Sequence, residues 1–312
     1  MDNHSHIHFN DLTRQTVRGM ALSLGITLIL VFVEIAAGVF SSSLALLTDA
    51  AHNFTDVLAL GLSWWALRLT TQPASQQKTY GYHRAGILAA LVNSTTLVIV
   101  ALGIFYEAYH RFINPPKVQA DILIGVGVAA VLVNLVTALL VRRGAESDLN
   151  VRAAFVHLMG DVLSTVGAVI AGVLIYFTNW NWLDPLVSVL IGLLILWSAW
   201  SILRESVDIL MESTPTDIDM PAMIRDINSI NGVHGVHDLH VWSITHSLRT
   251  LSAHLVTDNL TIDEGTSIQH RVSEVLFHKY HVNHATLQLE CDVCVPNMAQ
   301  CAFGENTNKR EP

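Results

Sequence analysis

Residues 47–56 read Leu47-Thr48-Asp49-Ala50-Ala51-His52-Asn53-Phe54-Thr55-Asp56, and residues 155–161 read Phe155-Val156-His157-Leu158-Met159-Gly160-Asp161. Each sets a His four positions before an Asp, within a longer, mainly apolar helical segment. Helix residues four apart share a face, their Cβ atoms about 5–6 Å apart. Each stretch therefore offers an imidazole nitrogen and a carboxylate oxygen to one point. A carboxylate at mid-helix in lipid costs roughly 2.5–3.5 kcal/mol on insertion scales. Two of them, with two His, require a return.

Working outward, six apolar stretches of about 20 residues are long enough to cross a bilayer as helices. They lie at roughly Val17–Phe40, Leu44–Leu69, Ala85–Tyr106, Asp121–Val141, Val151–Phe177 and Leu183–Leu203. Ser41-Ser42-Ser43, Pro73, Pro115-Pro116, Arg142-Arg143-Gly144 and residues 179–181 separate them. Trp180, Trp182 and Trp197 suit interfacial anchors. With both termini cytoplasmic, that side holds Arg14, Arg18, Arg68, Lys78, Arg84, Arg142, Arg143, Arg152 and Arg204, and the other only Arg111 and Lys117. This is the positive-inside bias.

Composition agrees. Charged residues make up 14% of the 312 and hydrophobic ones 51%, with a mean hydropathy of +0.44. A soluble chain carries about 25% charge. The first sixteen residues hold no apolar run, so no cleavable signal peptide is expected. Three cysteines make no disulfide framework and suit a reducing compartment. A net charge of −9 leaves no basic stripe for nucleic acid.

The two His/Asp pairs sit at matching depth. His52 and Asp56 lie about 12–18 Å into the second span, and His157 and Asp161 about 9–15 Å into the fifth, at 1.5 Å per residue. All four then converge near the middle of a core about 30 Å thick. One such His or Asp alone can be a helix–helix hydrogen-bonding residue; the repeat favours a shared cation. Two imidazoles and two carboxylates in a tetrahedron suit Zn2+ best, with Co2+, Fe2+, Cd2+ and Ni2+ competing. Mg2+, which holds its waters and wants six oxygens, does not suit. Asp49 stands behind the ligands or near the outer surface. Glu34, in the first span, serves helix packing or transport.

From about Glu212 the composition changes. Met220–Ile230 and Asp263–Tyr280 read as helices, and Val236–Ile244, Thr250–Thr257 and Thr286–Glu290 as strands. The order αββαβ predicts a small α+β domain with helices on one face of a three-stranded sheet. About 80 residues is marginal for a core alone, so a partner subunit or a bound metal would help. The expected division is a His-containing cytoplasmic tail (1–16), a six-helix transmembrane domain (17–205), a cytoplasmic metal-binding and dimerisation domain (206–295) and a flexible tail (296–312).

Residues 43–52 (Ser-Leu-Ala-Leu-Leu-Thr-Asp-Ala-Ala-His), 150–157 (Asn-Val-Arg-Ala-Ala-Phe-Val-His) and 236–242 (Val-His-Asp-Leu-His-Val-Trp) resemble signature stretches of the cation diffusion facilitator family. The likeness runs from about residue 15 to 292, closest to the bacterial zinc-exporting branch. It implies a homodimer of six-helix subunits in the bacterial inner membrane, a metallochaperone-like (ferredoxin-like) cytoplasmic domain, and exchange of metal for protons. It also implies zinc preference through His52, and a cytoplasmic metal site from His237, His254 and Glu290, with His270 a weaker candidate. Gln288 stands where some members carry His.

Three further features carry metal chemistry. Cys291-x-x-Cys294 is half a zinc site, which His4, His6 and His8 would complete, across a dimer for instance; a His-rich metal-collecting tail is the alternative. His83, after the second span, joins a cytoplasmic loop site or is simply solvated. No organic cofactor is expected.

The expectation is thus a secondary transporter exporting Zn2+ by proton antiport. An intramembrane metalloenzyme lacks its motifs: there is no His-Glu-x-x-His and no Gly-x-Ser-x-Gly. A zinc-binding sensor or scaffold, or an exporter of another of these metals, is the alternative.

Overall fold

The computed structural model describes residues 9–145 and 149–291. Six long helices come first: α1 (Phe9–Ser41), α2 (Leu44–Thr70), α3 (Ala85–Ile113), α4 (Ala120–Ala145), α5 (Leu149–Thr178) and α6 (Leu183–Leu210). Then follow α7 (Met220–Asn228), β1 (Gly235–Ser243), β2 (Arg249–Val256), α8 (Ile262–Tyr280) and β3 (Val282–Glu290). The chain divides into two compact units, one of residues 1–65 and 89–203, the other of 66–88 and 204–312.

The helical unit reverses the pattern of a water-soluble protein. Phe40, Leu163 and Trp197 are 73%, 72% and 79% exposed, whereas Glu34, Asp49, Asn53, Thr55 and Thr165 are buried to 3% or less. Apolar side chains outside and polar ones inside are what a lipid solvent selects. Among the described residues, four helical segments are long and apolar enough to cross a membrane: Ala85–Ile113, Ala120–Leu139, Leu158–Thr178 and Leu183–Leu210. A shorter apolar stretch covers Gly25–Ser41 of α1. Helix α2 is absent from that set although it is long, because Thr48, Asp49, His52, Asn53, Thr55 and Asp56 dilute its hydropathy.

One carboxylate ties down the start of α2. Asp184, in the first turn of α6 and fully buried, accepts from Ser43 Oγ (2.6 Å), the Leu44 amide (2.6 Å) and the Ala45 amide (3.2 Å). It thereby satisfies the donors that a helix N-terminus leaves open. Arg111, at the end of α3, donates to the Ser42 carbonyl at 2.6 Å and lies 3.8 Å from Asp184. Next to this turn, a Cβ on Gly38 would lie 2.8 Å from Leu47, so only glycine permits this approach of α1 to α2. Ala37, Leu46, Leu123 and Ile175 from four helices pack together nearby.

In the second unit the sheet has the order β1-β2-β3, with β1/β2 antiparallel and β2/β3 parallel. Parallel pairing requires a crossover, and α8 provides it. A reciprocal capping box between Thr261 and Glu264 starts α8, and Asp219 caps α7. The apolar faces of both helices meet the sheet through Met223, Ile227, Leu239, Leu251, Leu255, Val272 and Leu276. This is the expected αββαβ domain, with β3 starting four residues earlier than the sequence pattern placed it.

Candidate metal centre

Helix α2 carries Asp49, His52 and Asp56, and α5 carries His157, Asp161 and Thr165. His52 Nε2 lies 3.2 Å from Asp161 Oδ1 and 3.7 Å from Asp56 Oδ2. One donor atom from each of the three falls within 4.8 Å of the others. Their side chains are 15%, 26% and 8% exposed for His52, Asp56 and Asp161. A partly desolvated set of one neutral donor and two anions complements a dication. His157 lies on α5 four residues before Asp161, and its side chain is outside the described residues.

Asp49 does not join this group. It is buried behind it, where Thr165 Oγ is 3.0 Å from Asp49 Oδ2. Glu34 is equally buried, and Asn53 donates to it at 3.2 Å.

A second group forms on the sheet. His237 Nε2 and His254 Nδ1 each lie 3.0 Å from a Glu290 oxygen. The register accounts for it, since His237 on β1 pairs with His254 on β2, and the neighbouring β2–β3 pair brings in Val256 and Glu290. Gln288 donates to Glu290 at 2.8 Å rather than offering a ligand. His270 sits elsewhere, exposed on α8 and 3.6 Å from Glu274. His83 is exposed, and with Tyr80, Thr250 and His284 it lines a cavity of about 600 Å3. Cys291 is exposed, while Cys294, His4, His6 and His8 lie outside the described residues.

Sequence reasoning did not assign Asp238, His240 or Asp184. A bulge between His237 and His240 puts Asp238 at φ 49°, a left-handed conformation that Asp tolerates better than most residues. Asp238 there lies 3.0 Å from His240 and 3.7 Å from His254. The clue to Asp184 was an aspartate opening an apolar span, a position that needs a partner.

Residues 20–211 match the cation efflux transmembrane domain, and residues 215–292 match the cation efflux protein cytoplasmic domain. The chain belongs to the cation efflux family. Within this family a cadmium, cobalt and zinc/H(+)-K(+) antiporter of Bacillus subtilis is 39% identical over 277 residues, covering 85% of this chain and 89% of the relative. Zinc transporter ZitB of Pectobacterium atrosepticum is 35% identical over 98% of this chain and 93% of its own length. The solved metal-bound C-terminal domain of the CzcD transporter from Cupriavidus metallidurans is 29% identical, covering 23% of this chain and 99% of that one, with a TM-score of 0.22. As a cation efflux protein, this chain is a membrane transporter of metal cations and not an enzyme.

Proposed function

We propose that the chain exports Zn2+ from cytoplasm to periplasm in exchange for protons, through a transport site of His52, Asp56, His157 and Asp161. The observation that carries this reading is the 3.2 Å approach of His52 on α2 to Asp161 on α5. Ligands shared by two helices let a relative movement of those helices change which side of the membrane the cation faces. The donor set is tetrahedral in number and mixed imidazole and carboxylate in kind, which favours zinc; cadmium and cobalt, named for the Bacillus subtilis relative, are the nearest competitors.

Coupling follows from the ligands themselves. Zinc binds neutral imidazole and ionised carboxylate, so its arrival from the cytoplasm expels protons. Histidine titrates near 6.5 when unperturbed, so protons from a more acidic periplasm compete the metal off on the other side.

In the cytoplasmic domain, His237, His254 and Glu290 fit a resident Zn2+: three donors on three adjacent strands, already converging. Bound there, the ion would tie β1, β2 and β3 together and supply stability to a small core. We further propose a homodimer in the inner membrane, with both termini cytoplasmic. Support comes from the match to the cation efflux cytoplasmic domain and the basic residues on one side.

Reconstituted protein separates an exporter from a zinc sensor. The expected result is saturable zinc movement, with cadmium and cobalt competing. Stoichiometric zinc binding with no movement would replace export by sensing.

A further inference from the structure

Behind the His52–Asp161 contact lies a pair of acids that metal binding does not use. Glu34 of α1 is 0% exposed and Asp49 of α2 is 1% exposed. Glu34 Oε1 and Asp49 Oδ1 are both sealed from solvent, with no donor among the described residues. Asn53, which donates to Glu34 at 3.2 Å, stands four residues after Asp49 on the same face of α2, so the two carboxyl groups are neighbours. Two carboxylates have no proton to share, so the two orphaned oxygens can satisfy one another only when one group is a carboxylic acid.

Hydrogen counting on the far side agrees. The Thr165 hydroxyl has one proton and two oxygen partners, the Asp161 carbonyl at 2.8 Å and Asp49 Oδ2 at 3.0 Å. Both contacts are satisfied together when Thr165 donates to the carbonyl and a protonated Asp49 donates to Thr165. Asn53 supplies the donor on the Glu34 side. Among the described residues neither acid pairs with Lys or Arg, and the titratable groups acting on Asp49 besides Glu34 are His52 of α2 and Asp161 of α5. Neighbouring buried like charges are not both ionised without such compensation.

We propose that Glu34 and Asp49 share one proton and form a proton-binding site of the transport cycle, separate from the metal ligands. The proposal rests on the proton-antiport reading above. Without metal, the pair holds one proton and one negative charge. A dication arriving at His52, Asp56 and Asp161 favours ionisation of both carboxyls. The proton then leaves to water on the side the site faces, and Asn53 and Thr165 donate to the resulting carboxylates. When the cation departs, one proton returns. The pair thereby adds to the protons exchanged per metal ion, beyond those carried by the ligands.

The test is a zinc titration of the full-length protein in weakly buffered detergent, following proton release, in a His237→Ala background that silences the cytoplasmic group. Glu34→Gln and Asp49→Asn are compared with the native pair. The variants are expected to bind zinc with near-native affinity and to release about one proton fewer per ion. Undiminished proton release from variants that bind zinc would overturn the proposal. Should the variants fail to fold, infrared difference spectra of the native pair decide. Zinc is expected to remove the C=O stretch of a protonated carboxyl, and its persistence would count against the proposal. Because both readouts follow binding and not flux, zinc movement indifferent to a pH gradient would sink antiport while leaving the pair to be judged separately.

Discussion

His52 Nε2 stands 3.2 Å from Asp161 Oδ1, joining two helices at the level where both are most polar. Zinc–ligand bonds of about 2.0–2.1 Å set tetrahedral donors roughly 3.3 Å apart, and the distances of 3.2 and 3.7 Å from His52 to the two acids bracket that value. His52→Ala and Asp161→Ala are each expected to weaken zinc binding in the membrane domain by more than the roughly 10–100-fold that loss of an outer partner costs. Equilibrium binding to folded, detergent-purified protein measures it. Native affinity in either variant would remove that residue from the ligand set.

The cytoplasmic group makes a separate prediction. At a zinc concentration about 100 times Kd, binding to the native state adds about 2.7 kcal/mol. Thermal unfolding of the full chain should therefore shift upward with zinc and return with a chelator. Glu290→Gln and His237→Ala should abolish this domain's shift. An unchanged shift in both would place the ion elsewhere.

Asp184 acts through α2 rather than on the cation. Asp184→Ala removes the acceptor of Ser43, Leu44 and Ala45 and takes from Arg111 one of its two carboxylate neighbours, the other being Glu107 at 2.9 Å. A destabilisation of about 2 kcal/mol is expected, read as an earlier unfolding midpoint in detergent. Asp184→Asn, which keeps an acceptor, should lose less. Equal stability of Asp184→Ala and the native chain would show that α2 needs no such cap.

Legibility in the sequence divides along physical lines. The spans of α3 to α6 could be read from hydropathy because lipid-facing residues dominate them. The strands could be read because Leu239, Val241, Leu251 and Leu255 repeat at period two. The His/Asp pairs of α2 and α5 stood out because the same four-residue spacing recurs in two membrane helices at matching depth. Tertiary partners were not readable. Nothing local shows that Asp184 caps a helix 140 residues away, or that Thr165 stands between Asp161 and Asp49. The bulge at Asp238 was equally hidden, since alternation predicts a regular strand there.

The tie between α7 and α8 predicts a pH response. Hydrogen bonds from Lys279, and then from Tyr280, hold the Asp226 carboxyl below its ordinary value. Burial, and then the Asp226 contact, push the Tyr280 phenol up to about 12. A depressed acid contributes stability that is present above its unfolded value, about 3.9, and is lost as pH falls through the folded one. A raised phenol contributes below its unfolded value, about 10, and its contribution is lost as pH rises through about 12. The tie should hold unchanged from about pH 5 to 9. Asp226→Asn should lower stability across that window and flatten the losses outside it, as followed by unfolding midpoints against pH. Parallel native and variant curves would contradict the assignment.

The account as a whole stands on one ligand set serving zinc and protons in turn. Its most direct test is zinc movement in proteoliposomes of the native chain and of Asp161→Ala, with an imposed pH gradient and after its collapse. Native protein should move zinc against the inward flow of protons and slow sharply once the gradient is gone, and Asp161→Ala should be silent in both conditions. Zinc movement by the native chain that is equal with and without the gradient would contradict it.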